Sequence, residues 1–197
     1  MHALANGITS FFIERGLLDE EHRPWYVYAL ESKLGQSATV LFTLAAGWLL
    51  GRPLQPLLVL LAAMFLRQRA GGWHAPTAWL CQILSVGLAV LGSLAAAWCA
   101  AHQPWLWLGG LLAASGLAVW LLAPAEHPNL PQTPAELAAN RQLARRRLAF
   151  AMIAAALLQA LFPFRPYSLC AAAGIFLAAV GVLAQTIQQE VMEHGKL

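Results

Sequence analysis

Residues 67–81 read RQRAGGWHAPTAWLC, a polar break between two strongly apolar runs. Lipid does not accept such a break inside a helix, because every unpaired backbone group there is costly unless protein or water surrounds it. Gly71 and Gly72 free the backbone. Pro76 disfavours helical geometry at Ala75 and suits the first turn of a new helix. The stretch therefore predicts one helix ending near residue 68, a loop that contains His74, and a new helix from about Pro76 that carries Cys81 early.

Outward from this break the chain is apolar. Of 197 residues, 59% are hydrophobic and 11% charged, with a mean hydropathy of +0.60. Soluble domains carry about 25% charged residues. Eight tryptophans and eleven prolines fit the same picture, since tryptophan gathers at the lipid–water boundary. The length suits one domain over 1–197. The fold class expected is an all-α, polytopic integral membrane protein, with an N-terminal amphipathic helix over 1–24 and a helical bundle over 25–188. The first segment sets Ile8, Phe11, Phe12, Leu17 and Leu18 against Glu14, Arg15, Asp19, Glu20 and Glu21. It has no basic leader followed by a long apolar run, so it reads as a surface helix rather than a secretory signal. The net charge of +3 is small and dispersed, which argues against nucleic acid as a partner.

Spanning hydrocarbon takes about 20 apolar residues. On that measure six crossings are expected, near 27–50, 53–68, 76–101, 105–122, 146–162 and 167–188, with a long polar loop over 123–146. Such an arrangement puts Arg15, Arg23, Arg67, Arg69, Arg141, Arg145, Arg146, Arg147 and Lys196 on one side, and only Arg52 and Arg165 on the other. The positive-inside rule then places both termini, the 67–76 segment and the long loop on the cytoplasmic side of the cell membrane.

His74 and Cys81 are seven residues apart, which on a continuous helix means about 10 Å along the axis. The glycine pair and Pro76 remove that separation by making His74 a loop residue that folds back on the helix start. A thiol near a helix N-terminus, beside an imidazole, is the arrangement of an activated nucleophile for acyl transfer. The same residues also fit a plain hairpin with packing side chains. Zinc would want three or four ligands, and His22, His102, His127 and His194 lie in distant segments, so no metal or other cofactor is expected. Cys99 and Cys170 sit in apolar runs and read as small buried hydrophobes; an odd cysteine count argues against a disulfide framework.

The run from Arg67 to Cys81 resembles the signature of the accessory gene regulator B family. The stretch APAEHPNLP at 123–131, followed by Arg141, Arg145, Arg146 and Arg147, resembles that family's cytoplasmic loop, and GLLDEEHRPWYVYALE at 16–31 its opening. The chain departs from the lysine- and isoleucine-rich members in being rich in alanine, leucine and arginine. The resemblance implies a thiol protease of quorum sensing. Such an enzyme cuts the C-terminal tail from a short AgrD-like propeptide and cyclises the remainder into a thiolactone or lactone autoinducing peptide. By position, Cys81 is the nucleophile and His74 its general base.

Supporting residues follow from placement. Glu31 can orient His74, or pair with Lys33 or Arg67. Arg67 and Arg69 can clamp an acidic propeptide tail, or anchor a helix end on the positive side. Gln82 can point an amide at an oxyanion, as can the backbone N–H groups of the helix start. Helices so rich in small residues can pack closely, which admits a homodimer within the lipid bilayer. The competing function is a non-enzymatic transporter or exporter subunit. Against it, no crossing carries paired ionisable residues at its midplane.

Overall fold

The computed structural model describes residues 2–73, 75–125, 133–161 and 165–194. Among them the regular elements are helical: α1 (His2–Glu14), a short 3-10 turn (Glu20–His22), α2 (Arg23–Leu49), α3 (Leu54–Ala70), α4 (Ala78–Ala101), α5 (Pro104–Leu122), α6 (Pro134–Ala160) and α7 (Arg165–His194). A single parallel bridge, Gly71 with Ala125, is the β-type pairing among the described residues.

Proline and glycine set most of the boundaries. Pro24 and Pro104 stand in the first turns of α2 and α5, where a missing N–H costs nothing. Chain reversal after α1 uses Gly16, whose N–H bonds the Ile13 carbonyl at 2.8 Å while Leu17 N–H reaches Phe12 at 3.0 Å. The 1–24 segment is thus a helix, a turn and the start of α2 rather than one continuous helix. α1 lays Ala5 and Thr9 against the bundle and leaves Leu4, Phe11 and Phe12 exposed.

The long polar loop is shorter than expected. Helix α6 starts at Pro134, not near 146, because Thr133 and Glu136 form a reciprocal capping box. The Thr133 hydroxyl accepts the Glu136 N–H at 3.3 Å, and the Glu136 carboxylate accepts the Thr133 N–H at 2.8 Å. Of the stretch 123–131, residues 126–131 lie outside the described residues.

Among the described residues three helices are long and apolar enough to cross a membrane: α4, α5 and α7. The other three bundle helices expected as crossings are present but differ in kind. α3 is only 17 residues long, and α2 and α6 carry charged residues in their first halves. α7 is the central element. Its most apolar window is 61% buried, against 17% for α4 and 22% for α5, and it packs against α3, α4, α5 and α6. Closeness is allowed by bare backbone: a Cβ added at Gly174 would stand 2.7 Å from the Ala62 Cβ of α3. In a lipid-facing bundle, where apolar surface gains little by leaving the solvent, such small-residue crossings supply the packing.

Contacts between elements bring one set of helix ends together. Ala125 N–H, just past α5, bonds the carbonyl of Ala70 at the end of α3 at 2.9 Å. Next to them Arg147, midway along α6, donates to Phe65 O of α3 at 2.8 Å, and Gly35, midway along α2, faces Gln82 near the start of α4. Cys81 lies at this end.

Candidate active site

Cys81 occupies the first turn of α4 and is half-buried; its N–H closes the first helical bond to Thr77 O at 3.1 Å. The amides of Ala78, Trp79 and Leu80 precede it at the helix start, where N–H groups lack intrahelical acceptors. His74 lies outside the described residues, so the site is built from what surrounds it.

The loop leading to position 74 is held on three sides by main chain. Gly71 N–H caps α3 by bonding Arg67 O at 3.0 Å, the Gly71–Ala125 pairing ties it to the segment after α5, and Trp73 N–H bonds Gly181 O of α7 at 2.8 Å. Gly71 adopts φ 73° and ψ −155°, and a Cβ there would collide with the Ala125 carbonyl oxygen. A Cβ at Gly72 would stand 3.2 Å from the Gly181 carbonyl carbon and 3.4 Å from Arg67 Nε. The glycine pair is therefore a close-approach device as well as a source of backbone freedom.

Arg67, in the last turn of α3, turns inward. Its Nη2 donates to the carbonyl of Trp73, and its guanidinium interacts electrostatically with the Cys81 sulfur. No ion pair among the described residues includes Arg67. Both backbone groups of Trp73 are thus bonded, and a half-buried cation lies within electrostatic reach of the thiol.

The other expected site residues divide. Arg69 points away and donates to Asn140 Oδ1 of α6 at 3.1 Å, so it is not beside Cys81 in the way Arg67 is. Gln82 lies one residue round the helix, with Nε2 over Gly35 of α2, where a Cβ would stand 3.1 Å away. Among the described residues Glu31 pairs with neither Lys33 nor Arg67; its carboxylate lies 3.2 Å from His2 Nδ1 of α1. Cys99 and Cys170 are free thiols, half-buried and buried, and no group of three metal-ligating side chains occurs among the described residues.

A profile of the accessory gene regulator B family matches residues 5–188, nearly the whole chain. The chain belongs to the accessory gene regulator B family. No match was found among curated proteins or among solved structures. Membership gives the chain a role in the accessory gene regulator quorum-sensing system.

Two supports of the site in this family member were not foreseen from the sequence. The Gly181 carbonyl, the acceptor for Trp73, has no signature, because any helical residue offers the same group. Arg145 donates to Trp120 O in the last turn of α5 at 3.0 Å, and Arg147 to Phe65 O, just before the last turn of α3. Their signal was the RRR run itself, which spacing alone could not assign to particular helix ends.

Proposed function

We propose that the chain is an integral-membrane cysteine endopeptidase that processes an AgrD-like signal propeptide. The observation that carries this reading is Cys81 in the first turn of α4 beside the inward-turned Arg67, next to a loop clamped by main chain on either side of Gly71–Trp73. The Cys81 thiolate attacks the scissile carbonyl, and the amides at the start of α4 are placed to receive the developing oxyanion. His74, first the base that takes the thiol proton, returns it to the departing amine, and the C-terminal tail leaves. The acyl group stays on Cys81 as a thioester. An internal cysteine or serine of the substrate then displaces Cys81, closing a thiolactone or lactone with no net hydrolysis. Exclusion of water favours closure over hydrolysis.

In this reading α2, α3 and α6 complete six crossings around α7, with the Cys81 end and both termini on the cytoplasmic side. The exposed Leu4, Phe11 and Phe12 of α1 rest on the same membrane surface. Two copies can associate through small-residue helix faces.

Cys81→Ala is expected to accumulate in the membrane and to release no tail from a synthetic propeptide, while wild type releases the tail and accumulates a mass-detectable thioester. Iodoacetamide alkylation should find Cys81 faster than Cys99 and Cys170, an advantage lost in His74→Ala. Tail release by Cys81→Ala would sink the proposal.

A further inference from the structure

Away from Cys81, at the same end of the bundle, α5 and α6 enclose an open depression lined by Trp120, Arg141, Arg145 and Arg146, with Ala138 and Ala149 among its apolar walls. The Arg145 guanidinium stacks 4.2 Å from the Trp120 ring centre and donates Nη2 to the Trp120 carbonyl. Its Nε is buried and has no hydrogen-bond partner. A buried charged donor without an acceptor is costly, and anionic oxygens drawn to the neighbouring exposed guanidiniums would offset that cost. Arg141 and Arg146 are exposed, and no ion pair among the described residues neutralises either. No carboxylate lines the depression.

Its depth indicates what supplies the anion. Trp120 is in the last turn of α5, a helix apolar enough to cross a membrane, and an exposed tryptophan there marks the lipid–water boundary. Leu117 and Leu121, on the same side of α5 as Trp120, are 64% and 67% exposed, so an apolar track continues from the cationic depression toward the hydrocarbon. A soluble anion would use the arginines and leave that track idle; a phospholipid uses both.

We propose that Trp120, Arg141, Arg145 and Arg146 form a binding site for the phosphate group of an anionic phospholipid in the leaflet that faces the Cys81 end. The phosphodiester oxygens sit among the three guanidiniums, and an acyl chain runs along Leu117 and Leu121.

The test is native mass spectrometry of the full chain in detergent micelles with equal amounts of phosphatidylglycerol and phosphatidylcholine. Wild type is expected to retain phosphatidylglycerol preferentially. Arg141→Gln/Arg146→Gln should reduce that preference about 25-fold, at about fivefold per guanidinium near an anionic lipid. Arg15→Gln, which removes a cation stacked on Phe11 of α1, should leave it unchanged. The single variants Arg141→Gln and Arg146→Gln carry the test if the double variant does not reach the micelle as one species. Equal retention of both lipids, or equal loss in Arg15→Gln, overturns the proposal. Displacement of the lipid by inorganic phosphate would make this a soluble-anion site, and displacement by an acidic peptide would assign it to a propeptide tail; either result overturns the lipid assignment.

Discussion

Gly71→Ala probes how tightly the loop before position 74 is held. The residue sits at φ 73° and ψ −155°, a region that side chains other than hydrogen occupy at about 1–3 kcal/mol. The new Cβ would also meet the Ala125 carbonyl oxygen. Relief requires the 123–125 segment to move, with loss of the Ala125 N–H bond to Ala70 O, worth about 1 kcal/mol. Together these come to about 2–4 kcal/mol, or about a 30- to 700-fold rise in local opening at 1.4 kcal/mol per decade. Gly51 supplies the comparison: φ is 66°, yet nothing lies within 4 Å of an added Cβ, so Gly51→Ala pays only the backbone strain of about 1–2 kcal/mol. Hydrogen exchange with mass spectrometry, on peptides covering 70–73 and 125, reads the difference directly. The expected result is fast exchange at both places in Gly71→Ala and near-native exchange there in Gly51→Ala. Identical exchange in the two variants would refute the close-approach reasoning.

Two further outcomes are expected. Arg67→Gln removes the charged donor to the Trp73 carbonyl, about 1.5–3 kcal/mol, and the cation within electrostatic reach of Cys81, so iodoacetamide alkylation of Cys81 relative to Cys99 should slow by about 10- to 100-fold; Arg67→Lys should fall between, and an unchanged ratio would rule out the role given to Arg67. The Thr133 N–H and hydroxyl hold the Glu136 carboxyl below the usual carboxylate range, so the cap's contribution is full above that range and is lost as pH falls through the lowered value; the protection factor at the first turn of α6, exchange taken relative to the intrinsic rate at each pH, should fall in acid for wild type, with Thr133→Ala already low at neutral pH.

Much of the bundle could be read from composition because its signals are local. The apolar runs and the proline at 104 placed α4 and α5 within two residues of their observed ends. The start of α6 escaped because its first turns are polar: Thr133 and Glu136 carry the capping signal, but no apolar periodicity follows until Leu148. Within the site, the place of Cys81 in the first turn of α4 was legible and the partners of its neighbours were not. Arg67 and Arg69 have the same charge two residues apart, which on a helix puts them on different faces, so one turns to the loop and the other to α6. Glu31 looked available to several cations, and a terminal histidine from a separate helix takes it. Which partner wins in each case depends on how the helices pack, and no local pattern records that.

The supports of the loop at 71–73 are amides and carbonyls of Ala70, Ala125 and Gly181, together with one arginine. Point substitution leaves a carbonyl where it was, so losing contact atoms is not the main threat to this loop. Added bulk at Gly71 or Gly72, or a proline at 125 that deletes the donor, is. A saturation scan of these positions should therefore sort by side-chain volume and by proline, and hardly at all by polarity.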